Sequence, residues 1–308
     1  MEIQARPVRR RAIALASALA VAMAGAGAAP EGMAAAAAGA PGPGPVRGAG
    51  HAVSVAAQQA ARAFWTPARM AAATPLPDGR KAGRPATRRG IPSPAHFAGV
   101  PTAGALFLTT GTKPHFCTAS VVKSKPEDLV LTAAHCVYSS GYASNIEFVP
   151  KYHKGQQPYG AWPVKRIFVA AGWRHSHDPN LDFAFLAVAP PPGVTKPIQQ
   201  VTGGLRLGIS LGYDHQIEVI GYNNTDDAPI RCATSSFKFA ANQMKFYCND
   251  YKDGTSGGPW IIGYNGQDGT GTVFGVIGGY QQGGDHSWAS YSAYFSAPAR
   301  TLFRQAAG

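Results

Sequence analysis

The feature that most constrains the fold is a series of short apolar runs that starts near residue 95. The runs are about 4–8 residues long, are rich in β-branched and aromatic side chains, and are separated by Gly, Pro and Asn. Parallel α/β folds need recurrent helices between the strands, and no helical periodicity separates these runs. The sequence therefore predicts an all-β domain. The runs are 105–108, 117–122, 129–132, 146–149, 166–170, 183–188, 216–221, 244–248, 260–263 and 272–277.

A helix is expected only at the C-terminus. Ser296 can cap it, Pro298 suits a first helical turn, and Leu302 and Phe303 can face the body of the domain. The segment 190–193, Pro-Pro-Pro-Gly, is a natural joint between two halves of the domain, so we place that joint near residues 190–195.

The N-terminus has the composition of a secretory signal peptide. Arginines at positions 6 and 9–11 precede an apolar stretch at 12–23, and small residues at 26–28 offer a cleavage site. The stretch is shorter than the roughly 18 strongly apolar residues that a membrane span needs. We expect residues 1–28 to be removed on export, which leaves a secreted, extracellular protein with no membrane attachment.

Residues 29–89 differ in composition from the rest of the chain. The first half is rich in Ala, Gly and Pro, and the second half carries many arginines and ends in Arg88-Arg89. Such a segment buries little, and a dibasic pair is an easy target for proteolysis. We expect 29–89 to be a disordered propeptide, with a flexible linker that stays attached as the alternative. The mature domain is then 90–308.

The basic charge lies mainly in that N-terminal region. The whole chain has a formal net charge of +12, but residues 1–89 hold 12 basic and 3 acidic residues, which leaves only +3 for 90–308. Nucleic acid is therefore not an expected partner of the mature domain.

Export permits disulfide bonds, and four cysteines allow three pairings. Local pairing of Cys117 with Cys136 and of Cys232 with Cys248 is the simplest choice. A metal site is not expected, because no Cys-x-x-Cys or closely spaced Cys/His pattern occurs.

Three residues carry the candidate chemistry, in the chain order His135, Asp182, Ser256. A serine hydroxyl is a weak nucleophile until a base takes its proton, and histidine is the suitable base near neutral pH. A buried carboxylate must orient that imidazole, and Asp182 opens an apolar run. The glycine-rich turn around Ser256 can aim the N–H groups of Gly254 and Ser256 at one point, which would form an oxyanion hole.

Each of these assignments has an alternative. The Ser256 string alone could be an ordinary glycine turn, and His135 alone could be a structural core histidine. Asp178 competes with Asp182, but it lies in a polar stretch with His175 and His177. Those two histidines could belong to a metal site, but the polar stretch favours a solvated loop.

Three strings resemble motifs of trypsin-like (chymotrypsin-fold) serine proteases. They are Leu-Thr-Ala-Ala-His-Cys at 131–136, Asn-Leu-Asp-Phe-Ala-Phe-Leu at 180–186 and Gly-Thr-Ser-Gly-Gly-Pro-Trp at 254–260. The resemblance covers about 100–308 and is closest to secreted bacterial members. It implies two antiparallel six-stranded β-barrels of chymotrypsin type, a C-terminal helix, and a site between the barrels. It also implies that His135 is the general base, Asp182 its orienting carboxylate and Ser256 the nucleophile.

We accordingly expect a monomeric secreted serine endopeptidase that acts on protein or peptide substrates and needs no cofactor or metal. The alternative is a catalytically silent protease homologue that serves as an extracellular binding module.

Two departures from the family pattern concern activation and specificity. Thr255 stands where the family usually has the aspartate that receives a new N-terminal ammonium, so we expect the site to form without that switch. Asp250, six residues before Ser256, would favour Arg or Lys substrates, although it could equally be a loop carboxylate. Glutamate preference is not expected, because the strand 275–280 lacks a histidine. Gly278 and Gly279 are expected to offer backbone groups to an extended peptide.

Overall fold

The computed structural model describes residues 50–77, 87–223 and 226–308. The described strands form two β-sheets, as the short apolar runs predict. The strands are β1 (His51–Ala52), β2 (Thr74–Pro75), β3 (Ala95–His96), β4 (Ala103–Thr110), β5 (Lys113–Val121), β6 (Leu129–Thr132), β7 (Ser144–Pro150), β8 (Trp162–Val169), β9 (Ala184–Val188), β10 (Arg206–Leu207), β11 (His215–Tyr222), β12 (Pro229–Ala240), β13 (Gln243–Tyr247), β14 (Pro259–Ile262), β15 (Thr272–Val276) and β16 (Ala289–Ala293).

The described helices span 4 to 11 residues. They are α1 (Val55–Phe64), α2 (Pro67–Ala71), α3 (Ala134–Val137), α4 (Ala171–Ser176), α5 (Ile198–Thr202) and α6 (Ala297–Ala307), with 3-10 turns at Pro179–Leu181 and Tyr280–Gly283. No helix within the described ranges is long and apolar enough to cross a membrane.

The first sheet closes into a six-stranded antiparallel barrel. Its strands follow the order β8-β7-β4-β5-β6-β9, and β9 pairs with β8 to complete the ring. The interior is filled by fully buried apolar side chains such as Leu106, Phe148, Ile167 and Leu186.

The second sheet follows the order β15-β14-β11-β12-β13-β16, with β10 and β3 added beside it. It is an open half-barrel, since no ladder of the described residues joins β15 to β16. Val219, Phe246, Trp260 and Phe274 fill its concave side. This pair of sheets with a C-terminal helix is the chymotrypsin fold, so the predicted fold class is confirmed, with the second sheet less closed than expected.

The C-terminal helix forms as predicted. Leu302 is fully buried, and the Phe303 ring packs edge-on against Phe185 at 5.5 Å. Ser296 precedes the helix, but its side chain makes no capping hydrogen bond, which corrects the predicted cap. Pro298 occupies the second helical position and has no N–H, so one of the two donors that a cap can accept is missing.

Residues 50–77, which we call the N-terminal arm, are ordered, so the prediction of disorder over 29–89 is wrong for this part. Helix α1 is capped by Ser54, and α2 by Thr66 with Pro67 in the first turn. Trp65 and Met70 are buried in an apolar cluster with residues of the first barrel, which anchors the arm there. The expected signal peptide and residues 29–49 and 78–86 of the expected propeptide lie outside the described residues.

Both disulfide bonds pair locally, as predicted. Cys117 is bonded to Cys136, and Cys232 is bonded to Cys248. The first joins β5 to α3, and the second joins β12 to the segment that follows β13.

Candidate active site

His135 is held in one short helical turn directly after β6. Helix α3 contains it, and its side chain is buried, with 6% of the residue exposed. The neighbouring Cys136 ties the turn to Cys117 on β5. On the other side, the ring of the buried Trp173 lies 6.4 Å from the imidazole. The orientation of the ring is therefore restricted from two sides.

Asp182 is fully buried, and its carboxylate accepts hydrogen bonds from three N–H groups. Oδ1 accepts the backbone N–H of His135 at 2.9 Å, and Oδ2 lies 2.8 Å from His135 Nδ1. Oδ2 also accepts the Gly279 N–H at 2.8 Å. Because the carboxylate can only accept, it places the imidazole proton on Nδ1 and leaves Nε2 as the basic nitrogen.

The competing carboxylate, Asp178, has a different role. Its side chain accepts the N–H of Asn180 at 2.9 Å and caps the 3-10 turn before Asp182. His177 lies on the surface, with Nε2 3.2 Å from the Ser139 carbonyl. Among the described residues, one group of three possible metal-ligating side chains lies close together, and two of its members are the disulfide-bonded Cys117 and Cys136.

Ser256 is fully buried in a turn that is fixed to β5. Thr118 binds this turn twice: its N–H donates to the Ser256 carbonyl at 2.8 Å, and its hydroxyl donates to the Gly254 carbonyl at 2.9 Å. Thr118 follows Cys117, whose disulfide partner adjoins His135. The serine turn and the histidine turn are thus anchored to adjacent residues of one strand.

Two glycines make this close approach possible. Gly254 has φ +95° and Gly257 has φ +81°, in the region that favours glycine. A Cβ on Gly254 would overlap the Phe116 ring, and a Cβ on Gly257 would overlap the Thr118 carbonyl oxygen. Side chains at these positions would push the Ser256 turn away from the first barrel.

Thr255 is fully buried and uncharged. Its hydroxyl donates to the Lys252 carbonyl at 2.8 Å, and its Cβ and Cγ2 pack against Gly221. The turn before Ser256 is therefore closed by a neutral, local hydrogen bond.

Asp250 lies in a surface ion pair. Its backbone has φ +60°, and its carboxylate oxygen is 2.6 Å from Lys252 Nζ. Both side chains are 38% exposed. A basic substrate side chain would have to compete with Lys252 for this carboxylate.

Gly278 and Gly279 connect the second sheet to the acid–base pair. The Gly278 N–H donates to the Tyr291 carbonyl at 3.0 Å, and the Gly279 N–H is the third donor to Asp182. A Cβ on Gly278 would lie 3.0 Å from the Asp182 carboxylate. The N–H groups of both glycines are therefore used within the protein, and binding of a peptide by their other backbone groups stays a prediction. Sequence reasoning missed their contact with Asp182.

A cavity of about 440 Å³ opens beside His135. One wall is the segment 138–143 that follows α3, and another includes Trp173 and His177. Leu76 and Pro77, the last described residues of the N-terminal arm, also line it.

Comparison with known proteins decides the family. The Trypsin family model matches residues 92–296. The chain belongs to the trypsin family. No curated protein sequence matches it.

Solved structures of proteases share the fold of this trypsin-family chain. The protease Anisep from Arthrobacter nicotinovorans is 25% identical, with a TM-score of 0.62, and the match covers 69% of this chain and 98% of Anisep. The thermostable serine protease AL20 from an extremophilic microorganism is 23% identical, with a TM-score of 0.61 and coverage of 68% and 97%. A Glu endopeptidase is 18% identical, with a TM-score of 0.54 and coverage of 70% and 97%.

Proposed function

We propose that this trypsin-family chain is a secreted serine endopeptidase that cleaves peptide bonds through an acyl-enzyme on Ser256. The observation that carries the proposal is the buried Asp182 carboxylate, which contacts His135 at both its backbone N–H and its Nδ1. A structural histidine needs no such arrangement, whereas a general base needs a fixed tautomer with a basic Nε2.

In this proposal, His135 Nε2 takes the proton from the Ser256 hydroxyl as the oxygen attacks the peptide carbonyl carbon. Asp182 stabilises the imidazolium that forms. The N–H groups of Gly254 and Ser256 receive the oxyanion, and the imidazolium then gives its proton to the leaving amine. Water, activated by the same imidazole, hydrolyses the ester and regenerates the serine.

Secretion is supported by the two disulfide bonds, which form in oxidising compartments. The N-terminal composition of residues 1–28 supports it independently.

A preference for Arg or Lys before the scissile bond is the finer hypothesis. Asp250 would provide the carboxylate, and its accessible position supports a role in binding. Its pairing with Lys252 weakens the attraction for a second cation, so we expect the preference to be modest.

A fluorophosphonate probe tests the proposed chemistry, because it reacts only with an activated serine. The secreted, processed protein is expected to be labelled on Ser256, and Ser256→Ala is expected to abolish the label. Ser140→Ala, a serine exposed beside the same cavity, is the matched control and should leave labelling unchanged. An unlabelled but folded protein would favour the silent binding module instead.

A further inference from the structure

The N-terminal arm precedes the family domain, which starts at residue 92, yet it is built into the first barrel. Strand β1 pairs with β8, and β2 pairs with β5 through Thr74 and Pro75. The pairing with β5 continues at Leu76, whose N–H donates to the Phe116 carbonyl at 2.9 Å. The arm is thus paired with strands of the first sheet at both ends of the arm.

Between its two strands the arm fills an apolar site. Trp65, Met70 and Ala73 are at most 6% exposed, and they pack with Phe107 and Tyr152 of the barrel. The Trp65 ring lies 5.3 Å from the Phe107 ring, and its indole N–H donates to the Asn145 carbonyl. Removal of the arm would expose this aromatic cluster to water, which is unfavourable for a processed, soluble domain.

The last described residues of the arm lie at the cavity beside His135. Leu76 is buried within the same core cluster as Cys117 and Cys136, and Leu76 and Pro77 line the cavity together with His135. His135 must deliver a proton to the leaving amine, so the substrate residues after the scissile bond pass along the histidine side of the cleft. That side is the one to which the arm contributes.

We propose that the N-terminal arm is a permanent part of the mature enzyme and forms a wall of the cleft that contacts the substrate residues after the scissile bond. The inference rests on the proposed endopeptidase function. Leu76, Pro77, Tyr138 and Tyr142 form an apolar and aromatic patch in this cavity, whose other lining residues include the polar Thr110, Ser139 and Ser140. The favoured substrates are therefore peptides with an apolar side chain soon after the scissile bond.

Retention of the arm is tested on the secreted protein in its active form. The protein is labelled with a fluorophosphonate, purified under native conditions, and digested for mass spectrometry. Peptides from 50–77 are expected in a one-to-one ratio with the labelled Ser256 peptide, even if the chain has been cut at Arg88-Arg89. A fully active enzyme that lacks these peptides would overturn the proposal.

The contact with substrate is tested by Pro77→Asp, with Val55→Asp as the matched control. Val55 is 68% exposed at the start of α1, away from the cavity. Pro77→Asp is expected to lower kcat/KM roughly fivefold for peptides with Leu after the scissile bond and to raise it similarly for those with Lys. Changing the peptide residue before the scissile bond should alter kcat/KM by the same factor in both variants and in the parent.

Two results would contradict this role. If Pro77→Asp and the parent have identical kcat/KM values across peptides that vary after the scissile bond, the arm does not touch substrate. A rise in kcat/KM for every peptide when Pro77 is changed would mean that the arm blocks the cleft. If Ser256 is not labelled at all, the endopeptidase function and the substrate contact both fail, whereas arm retention is still read from the mass spectrum of the unlabelled protein.

Discussion

Asp182 holds His135 through two contacts at once, with Oδ1 2.9 Å from the backbone nitrogen and Oδ2 2.8 Å from Nδ1. The first contact fixes the position of the residue, and the second fixes the direction and the tautomer of its ring. Since the Gly279 N–H also binds Oδ2, the segment that follows β15 of the second sheet orients a carboxylate that serves the first barrel. The acid–base pair is therefore assembled from both halves of the molecule.

The first prediction follows from this geometry. Asp182→Asn replaces one acceptor oxygen by an NH₂ donor, so either a donor faces a donor or the imidazole adopts the wrong tautomer. We expect kcat on a peptide substrate to fall by about 10⁴-fold, as a neutral substitute for this carboxylate cannot stabilise the imidazolium. Asp178→Asn is the control: it leaves an acceptor for the Asn180 N–H, and kcat should stay within about twofold of the parent. Equal losses in the two variants would refute the assignment of Asp182.

The residues of this pair were predictable because each is embedded in a local string whose neighbours support its role. Ala133-Ala134 and Cys136 define the His135 turn, and the apolar run after Asp182 predicts its burial. The contact from Gly279 was not predictable in this way. It joins residues 97 positions apart, and only the packing of the two sheets creates it.

At two other places the structure differs from the prediction made from the sequence, for physical reasons that the average composition does not indicate. The N-terminal arm is rich in Ala, yet Ser54 and Thr66 cap its helices, and Trp65 provides a large apolar side chain. These local signals outweigh the average composition. At Asp250 the spacing from Ser256 gives a position along the chain but no side-chain direction, and in the structure the carboxylate is paired with Lys252.

The second prediction concerns Thr255. Thr255→Val keeps the shape but removes the hydroxyl donor to the Lys252 carbonyl, which still accepts the Thr255 backbone N–H, so we expect the free energy of unfolding to fall by about 1 kcal/mol. Thr255→Asp would bury a carboxylate against Gly221 and should lower the free energy of unfolding, measured by chemical denaturation, by several kcal/mol, on the order of 3–5.

Because the native turn needs no ion pair at Thr255, substitutions of the mature N-terminal residue should leave kcat unchanged. The idea fails if those N-terminal changes abolish activity while Thr255 variants remain fully active.

The third prediction separates the two interpretations of Asp250. If its carboxylate receives a basic substrate side chain, Lys252→Ala removes the competing cation and should raise kcat/KM for Arg and Lys peptides by roughly fivefold. Asp250→Ala should abolish any preference for those peptides over matched Leu peptides. Peptides that vary only in the residue before the scissile bond provide the measurement. An unchanged profile in both variants would assign the two residues to a surface ion pair alone.

The last prediction concerns Glu147, a carboxyl group on β7 that is 1% exposed. Burial raises its pKa from 4.5 to about 7, and Arg62 on helix α1 of the arm partly opposes this shift. Below pH 4.5 the carboxyl is protonated in both the folded and the unfolded chain. Between pH 4.5 and 7 the folded protein holds the proton that the unfolded chain has lost. Stability from this group is therefore fully present at low pH and is lost as the pH rises through about 7, by an amount on the order of 3 kcal/mol.

Glu147→Gln removes this titration, so the free energy of unfolding should decline less between pH 5 and 8 than it does in the parent. Glu127→Gln, at a partly exposed glutamate in the turn before β6, should keep the parental slope. Arg62→Ala should steepen the slope, because the cation that lowers the pKa of Glu147 is gone and ionisation in the folded state becomes more costly. Urea denaturation at several pH values gives the slope of the free energy of unfolding against pH for all three variants. Parallel curves for Glu147→Gln and the parent would show that Glu147 ionises equally in the folded and the unfolded chain.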